Sequence, residues 1–519
     1  MRALVRAFWF RMSNSTLSRS RSIAVLAALA GLLAACGNSP PPADVADSPT
    51  NPVDPVDPNV ELCSGTEINP ERLFLQQVGA DRAIIKWRGN VDGGDEASDV
   101  CFGTHMNALP ASSLTAANVT ETEHREALLT GLTPDTTYYY SVGGAASALQ
   151  TRHFRTAPVT GESPADGNVR MWVLGDSGTA GSTIDPEGGD ARDVRDGYLT
   201  WAANNGGEPT DLILMLGDAA YLDGTDAQFQ SAVFETYPDI LSSAGLWSTI
   251  GNHEMGVSGL STATSTGLYL PAQGQRDPLP ASPMPYLNIH TLPTQGENGG
   301  EPSNTEQYYS FDYGNVHVVS LDSQVAIRDS GNNETMKQWL INDLSASSND
   351  WTLVIFHHPP YTKGSHDSDS AVLGIDQPIF DIREQYTEIF EDHGVDLAYS
   401  GHSHSYERSF YLNGHTGLEA SFDPNVHAEH DGAGNPLTGQ DDQEYRQISN
   451  NSGVDDKVVY TVAGSSGQAT STSDGYPHNA MAYSEIVLGS VVIDATATTL
   501  TARFINIDGD VLDFFVINR

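Results

Sequence analysis

Five short segments of the chain end an apolar run in side chains that bind cations. They are Gly175-Asp176-Ser177-Gly178, Gly217-Asp218-Ala219-Ala220-Tyr221, Gly251-Asn252-His253-Glu254, His357-His358-Pro359-Pro360 and Gly401-His402-Ser403-His404. Ligands of open α/β sheets gather beyond the carboxyl ends of strands, so five such ends can converge on one site. The glycines permit tight turns and close backbone approach. Each segment alone says little, because Gly-Asp after a strand is ordinarily a turn or a helix cap. Taken in order, Asp, Asp, Asn, His and His-x-His supply the oxygen and nitrogen donors that two hard or borderline cations take. A carboxylate between the two cations would bridge them and screen their repulsion.

This ordered set resembles the metallophosphoesterase superfamily, from about residue 165 to the end of the chain. Many members carry Asp-x-His in the first block. Here Gly178 stands at the histidine position, and Tyr221, three residues past Asp218, is the replacement donor. A phenolate is a hard anionic oxygen that suits Fe(III), and the substitution resembles the purple acid phosphatase family. WTLVIFH (Trp351–His357), GHSHSYERS (Gly401–Ser409) and YSFDYGNVH (Tyr309–His317) support the match. The resemblance implies a dinuclear metal centre. Asp176, Tyr221 and His404 would hold an Fe(III)-like metal, and Asn252, His357 and His402 a divalent one (Zn, Fe or Mn). Asp218 would bridge them. It also implies catalytic roles for His253, which would protonate the leaving oxygen, and for His366, nine residues past His357, as a second substrate-facing histidine. His358 matches no family ligand and reads as a packed or supporting residue. Glu254 and the Tyr406-Glu407-Arg408 run read as support for the ligands.

Phosphate esters resist attack because their oxygens are anionic. Two cations ~3.5–4 Å apart would neutralise that charge and lower the pKa of a coordinated water from about 15.7 to about 7. The implied activity is therefore an acid phosphatase-like hydrolase. Metal-activated hydroxide would split phosphomonoesters into alcohol and inorganic phosphate. Two other readings stay open: a phosphodiesterase or nucleotidase built on the same centre, and a non-catalytic surface binding protein.

The elements that must position these residues show two kinds of period. From about 165 onward apolar runs alternate with amphipathic stretches. They predict strands over 169–174, 212–216, 246–250, 316–321, 351–356 and 397–399, and helices over 191–203, 226–241, 335–344 and 379–390. Strands return over 458–462, 486–493 and 500–505. This is α/β grammar with some parallel strands. Residues 61–160 instead show short alternating runs, as in RAIIKW (Arg82–Trp87), which predict a β-sandwich. LTPDTTY (Leu132–Tyr138) resembles the end of a fibronectin type III domain, in which a tyrosine closes a corner onto nearby backbone. The expected fold class is thus α/β (α+β): a metallophosphoesterase-like double-sheet sandwich flanked by helices (165–519), preceded by an all-β fibronectin type III-like sandwich (61–160). Two long polar segments, 256–304 and 412–456, read as surface loops, the second as partly disordered.

Charge and leader narrow the partners. The 519 residues hold 25 Lys+Arg against 67 Asp+Glu, a net charge of −42, so nucleic-acid binding through a basic patch is excluded. Ile23–Ala35 is apolar, too short for the roughly 20 residues of a membrane span, and follows Arg19 and Arg21, which reads as a secretion signal. Leu33-Ala34-Ala35-Cys36 resembles a bacterial lipobox, which would make Cys36 an acylated N-terminus and residues 1–36 the signal. The alternative is an ordinary signal cleaved near Ala35, and translation could start at Met1 or Met12. Residues 37–60, rich in Pro and Asp, read as a tether. The expected location is outside the cytoplasm, anchored to a membrane only by lipid, or free in the periplasm or medium. There Cys63 and Cys101 could pair or remain as buried thiols.

Overall fold

The computed structural model describes residues 63–519, apart from 92–98, 107–108, 115–123, 145–151, 256–283, 371–375, 448–455 and positions 64, 66, 110 and 208. The expected signal, Cys36 and the tether lie outside the described residues.

Seven short strands open the described chain: β1 (Pro70–Gln76), β2 (Arg82–Asn90), β3 (Asp99–Gly103), β4 (Ala111–Leu114), β5 (His124–Thr130), β6 (Thr137–Val142) and β7 (His153–Arg155). Strands β1-β2-β5 form one layer and β4-β3-β6-β7 the other. Ile85, Trp87 and Leu129 meet Tyr140, Val142 and Phe154 between them. The Tyr138 hydroxyl accepts the Thr133 N–H at 2.9 Å, closing the expected corner. Cys63 and Cys101 form a disulfide, which removes the free-thiol alternative.

The remaining strands are β8 (Val169–Leu174), β9 (Leu212–Met215), β10 (Gly245–Ser248), β11 (Tyr309–Tyr313), β12 (Val316–Ser320), β13 (Trp351–Ile355) and β14 (Leu397–Ser400). After them come β15 (Tyr406–Leu412), β16 (Tyr445–Arg446), β17 (Val458–Ala463), β18 (Met481–Glu485), β19 (Gly489–Ala495), β20 (Thr499–Asn506) and β21 (Val511–Asn518). One sheet runs β16-β21-β20-β19-β8-β9-β10-β1-β2-β5, the other β11-β12-β13-β14-β17-β15-β18. The first layer of the N-terminal sandwich therefore continues the first of these sheets, through a parallel pairing of Leu75 with Gly245.

The two large sheets pack face to face. Along β12, Val316 and Val318 point into the core between the sheets while Val319 points to the helices, the period-2 alternation of a strand buried on both faces. Helix α1 (Gly189–Asn204) covers the first sheet, where Tyr198 stacks on Trp172 at 4.3 Å. Helices α2 (Ser330–Ala346) and α3 (Gln377–Gln385) cover the second through Met336, Trp339, Leu340 and Ile382. Burial of each such side chain contributes about 1.5–3 kcal/mol. Because β8-β9-β10 and β12-β13-β14-β17 are parallel sets, their carboxyl ends come out at shared edges.

Several expected elements differ. The helix expected over 226–241 is broken into Asp226–Phe229, a π-turn over Gln230–Phe234 and Pro238–Leu241, since Pro238 has no N–H to continue the ladder. The helix expected over 379–390 breaks at Tyr386 into Gln377–Gln385 and Thr387–Asp392. The strand expected over 486–493 is β19, shifted to Gly489–Ala495, and β18 (Met481–Glu485), just ahead of it, pairs in the other sheet. Neither polar segment is simply a surface loop. In 284–304, Tyr286, Ile289 and Leu292 are buried in the large apolar cluster that includes the first sheet. In 412–447, which is described throughout, Phe422, Ala428 and Leu437 are buried.

Candidate metal centre

All seven expected donor residues meet beyond the strand ends. Tyr221 Oη lies 3.0 Å from Asp176 Oδ1, 3.3 Å from Asp218 Oδ2 and 3.3 Å from His404 Nε2. His357 Nε2 lies 3.3 Å from the same Asp218 oxygen and 3.0 Å from Asn252 Oδ1. His402 Nδ1 lies 2.9 Å from Asn252 Oδ1 and 3.2 Å from His357 Nε2. Donors about 2.0–2.2 Å from one ion stand about 3 Å from one another, so these separations fit two cation sites that share Asp218 Oδ2. The donor set fits chemically as well. Asp176 and Asp218 are buried, and among the described residues their ion-pair partners are histidines alone. Buried carboxylates without lysine or arginine partners are what a cation compensates.

Local backbone aims these side chains. Asp176, Asp218 and His402 have φ of 54°, 52° and 66°. Such left-handed conformations cost non-glycine residues roughly 1–3 kcal/mol each and cluster at functional sites. Gly178 explains the missing histidine of the first block. A Cβ there would come within 2.2 Å of the Ala219 carbonyl carbon. The Gly178 N–H donates to Asp218 O, and the Tyr221 N–H donates to Gly178 O. The approach that forbids a side chain at 178 thus presents Tyr221.

Supporting residues divide by what they touch. Glu254 accepts the N–H groups of Asp218, Ala219 and Gly251 at 2.7–2.9 Å, tying two ligand turns together. Glu407 accepts the N–H of Lys363 and Gly364 and the hydroxyls of Thr362 and Ser405, which anchors the turn leading to His366. Its neighbours Tyr406 and Arg408 do not support ligands. Both bind Asp513, Arg408 at 2.7 and 2.9 Å, and so tie β15 to β21. Ser323 Oγ accepts the N–H of His357 and His358, so its own proton goes to His358 Nδ1 at 2.9 Å. His358 Nε2 then carries the ring proton and offers no lone pair, which fits a packed residue rather than a ligand.

His253 Nδ1 lies 2.6 Å from the Leu222 carbonyl, an acceptor only, so Nδ1 is protonated and Nε2 is left 3.9 Å from Asp218. The His366 ring stacks on that of His402 at 3.9 Å. Both expected catalytic histidines therefore border the cluster. Charge within it is strongly coupled. Burial opposes ionisation of Asp218, yet His357 and His253 hold its carboxyl below the usual range. Burial, with the charges of Asp176 and Asp218, pushes the Tyr221 phenol well above its ordinary value. A cation beside the oxygen would reverse that preference.

Asp376, absent from the expected set, contacts both His366 and His402. It sits just before α3, where no spacing motif marks it, and its only signal is an Asp preceding Gln-Pro at a helix start. A second acidic cluster, Asp369, Glu419 and His478, is occupied by Lys363, whose ammonium lies 3.8 Å from Asp369 and 3.3 Å from Glu419.

The chain resembles known phosphoesterases in sequence and fold. The calcineurin-like phosphoesterase model matches residues 169–406, and the purple acid phosphatase N-terminal domain model matches 70–156. Purple acid phosphatase 15 of Arabidopsis thaliana is 27 % identical over 309 residues, covering 54 % of this chain and 48 % of that protein. The phosphoenolpyruvate phosphatase of Allium cepa is 22 % identical over 365 residues, covering 67 % and 64 %. The chain thus spans about half the length of the first of these relatives. The purple acid phosphatase from yellow lupin seeds shares the fold, with a TM-score of 0.59 at 17 % identity, over 87 % of this chain and 75 % of that one. Over these regions the chain is similar to the calcineurin-like metallophosphoesterases and, within them, to the purple acid phosphatases.

Proposed function

We propose that this chain is an exported dinuclear-metal phosphatase that hydrolyses phosphomonoesters to an alcohol and inorganic phosphate. The observation that carries the reading is that the seven donor residues converge on one cluster, with Tyr221 Oη and His357 Nε2 each 3.3 Å from Asp218 Oδ2. Asp176, Tyr221 and His404 would hold an Fe(III)-like ion, and Asn252, His357 and His402 a divalent one (Zn, Fe or Mn), with Asp218 shared. When bound, the two ions would supply charge neutralisation of the phosphate oxygens and acidification of water. The protein's own groups do the rest. Glu254 fixes the turns of Asp218 and Asn252. His253, its Nδ1–H committed to Leu222 O, presents Nε2 to hold the proton given to the departing oxygen. His366 stacks on His402 and stands edge-on to His404.

Residues 61–160 and 165–519 are the two domains of this reading, despite the strand pairing that joins them. The signal over 1–36, acylation at Cys36 and a tether over 37–60 would place the catalytic body on an outer surface. The Cys63–Cys101 disulfide accords with an oxidising compartment. Among the described residues no helix is long and apolar enough to cross a membrane. A panel of p-nitrophenyl phosphate, phosphoenolpyruvate, a nucleotide and bis(p-nitrophenyl) phosphate tests the substrate class. Monoesters turn over faster than the diester on this reading; a preference for the diester replaces it with a phosphodiesterase, and no turnover of any of them refutes it.

A further inference from the structure

One oxygen serves two histidines. Asp376 Oδ1 lies 2.8 Å from His366 Nδ1 and 3.0 Å from His402 Nε2. A carboxylate oxygen only accepts, so each facing nitrogen carries its proton. That leaves His402 Nδ1, the nitrogen beside Asn252 Oδ1 and His357 Nε2, with a free lone pair for a cation. It likewise leaves His366 Nε2 free to exchange a proton with a substrate. The two rings lie nearly parallel, 27° apart, and the same oxygen holds both.

The position makes this use of the carboxylate informative. Asp376 is the residue before the first turn of α3, where an aspartate ordinarily caps the helix by accepting its N–H groups. Here the side chain makes no capping hydrogen bond. It turns instead to the imidazoles.

We propose that Asp376 is a positioning residue that couples the two halves of the site, fixing the ligating tautomer of His402 and the substrate-facing tautomer of His366 through one oxygen. The proposal rests on the dinuclear reading above. Asp376 touches neither substrate nor cation; it acts through the two rings. Carboxylates that orient ligating histidines typically contribute 10–100-fold in metal affinity or activity.

The test uses the full chain stripped of metal and titrated with Zn2+ by calorimetry, alongside steady-state kinetics of the reconstituted enzyme. Asp376→Ala weakens one of the two binding events 10–100-fold and leaves the other in place. His366→Ala leaves both events unchanged but lowers kcat, and adding Asp376→Ala to it costs less kcat than Asp376→Ala costs alone. Asp376→Ser separates positioning from helix stability: the aspartate makes no capping hydrogen bond whereas serine caps well, so Tm stays at or above that of Asp376→Ala while the weak Zn2+ event stays weak. If Asp376→Ala binds both ions as wild type does, or if Asp376→Ser restores wild-type affinity, the coupling is wrong. If the wild type itself takes up fewer than two ions, the dinuclear reading falls and this inference falls with it.

Discussion

His317 offers a quantitative test of how the second sheet is held to its helix. The histidine sits on β12, 1 % exposed, with Nδ1 2.8 Å from Asp312 Oδ1 and Nε2 3.0 Å from Asp343 Oδ2 on α2. Burial alone would favour the neutral ring, but hydrogen bonds to both carboxylates push its pKa up to about 9 from 6.5. A folded-state pKa above the unfolded one contributes stability that is fully present below about pH 6.5 and is lost as pH rises through about 9. At 1.36 kcal/mol per unit the shift corresponds to about 3 kcal/mol. With roughly 2.1 cal/mol/K of unfolding entropy per residue, that is a Tm change of about 3–4 °C for a body of this size. Thermal unfolding of wild type and His317→Gln from pH 6 to 10 isolates the term from other titrating groups. The Tm gap should be widest near pH 6 and shrink by about 3 °C by pH 10. A gap independent of pH would show that His317 is not charged in the folded state, and would refute the Asp-His-Asp account of this contact.

Two further outcomes follow from packing and chain entropy. Gly178→His, which restores the Asp-x-His spacing of other superfamily members, should lose metal and fold poorly, because its Cβ meets the Ala219 backbone at 2.2 Å; retention of two metals by the soluble variant would contradict this. Replacing both Cys63 and Cys101 by alanine opens a loop with a sequence separation of 38 residues, worth about 4 kcal/mol in the chain-entropy model. Proteolysis should then cut first within 63–160, and an unchanged cleavage pattern would count against that domain's dependence on the bond.

Much of the site was legible because its donors end continuous apolar strands, a pattern that survives in one dimension. Val169–Leu174, Trp351–Ile355 and Leu397–Ser400 are buried on both faces, and the residues after each of them reach the cluster. Tyr221 could be recognised because the glycine at 178 left a donor missing. What the sequence concealed depends on distant pairing. Leu75 meeting Gly245 joins the N-terminal layer to the first of the two large sheets, and nothing local to either residue announces it. Asp376 was hidden because a helix cap and a histidine-orienting carboxylate look alike until the side chain's direction is known. Segment 284–304 looked like a surface loop by its polar composition, yet Tyr286 drives its hydroxyl onto Ser248 O at 2.7 Å and buries the turn. Arg408 sat inside a motif near the ligands, but a strand's period of 2 turned it, with Tyr406, toward Asp513 and sent Glu407 the other way.

The central claim is that Asp218 lies between two cations. Elemental analysis of the full chain purified without chelator, paired with turnover of a phosphomonoester, measures it directly. About two transition-metal ions per chain are predicted for wild type, and Asp218→Asn should lose metal and turnover together. An Asp218→Asn protein that keeps both its metal content and its activity would contradict the account.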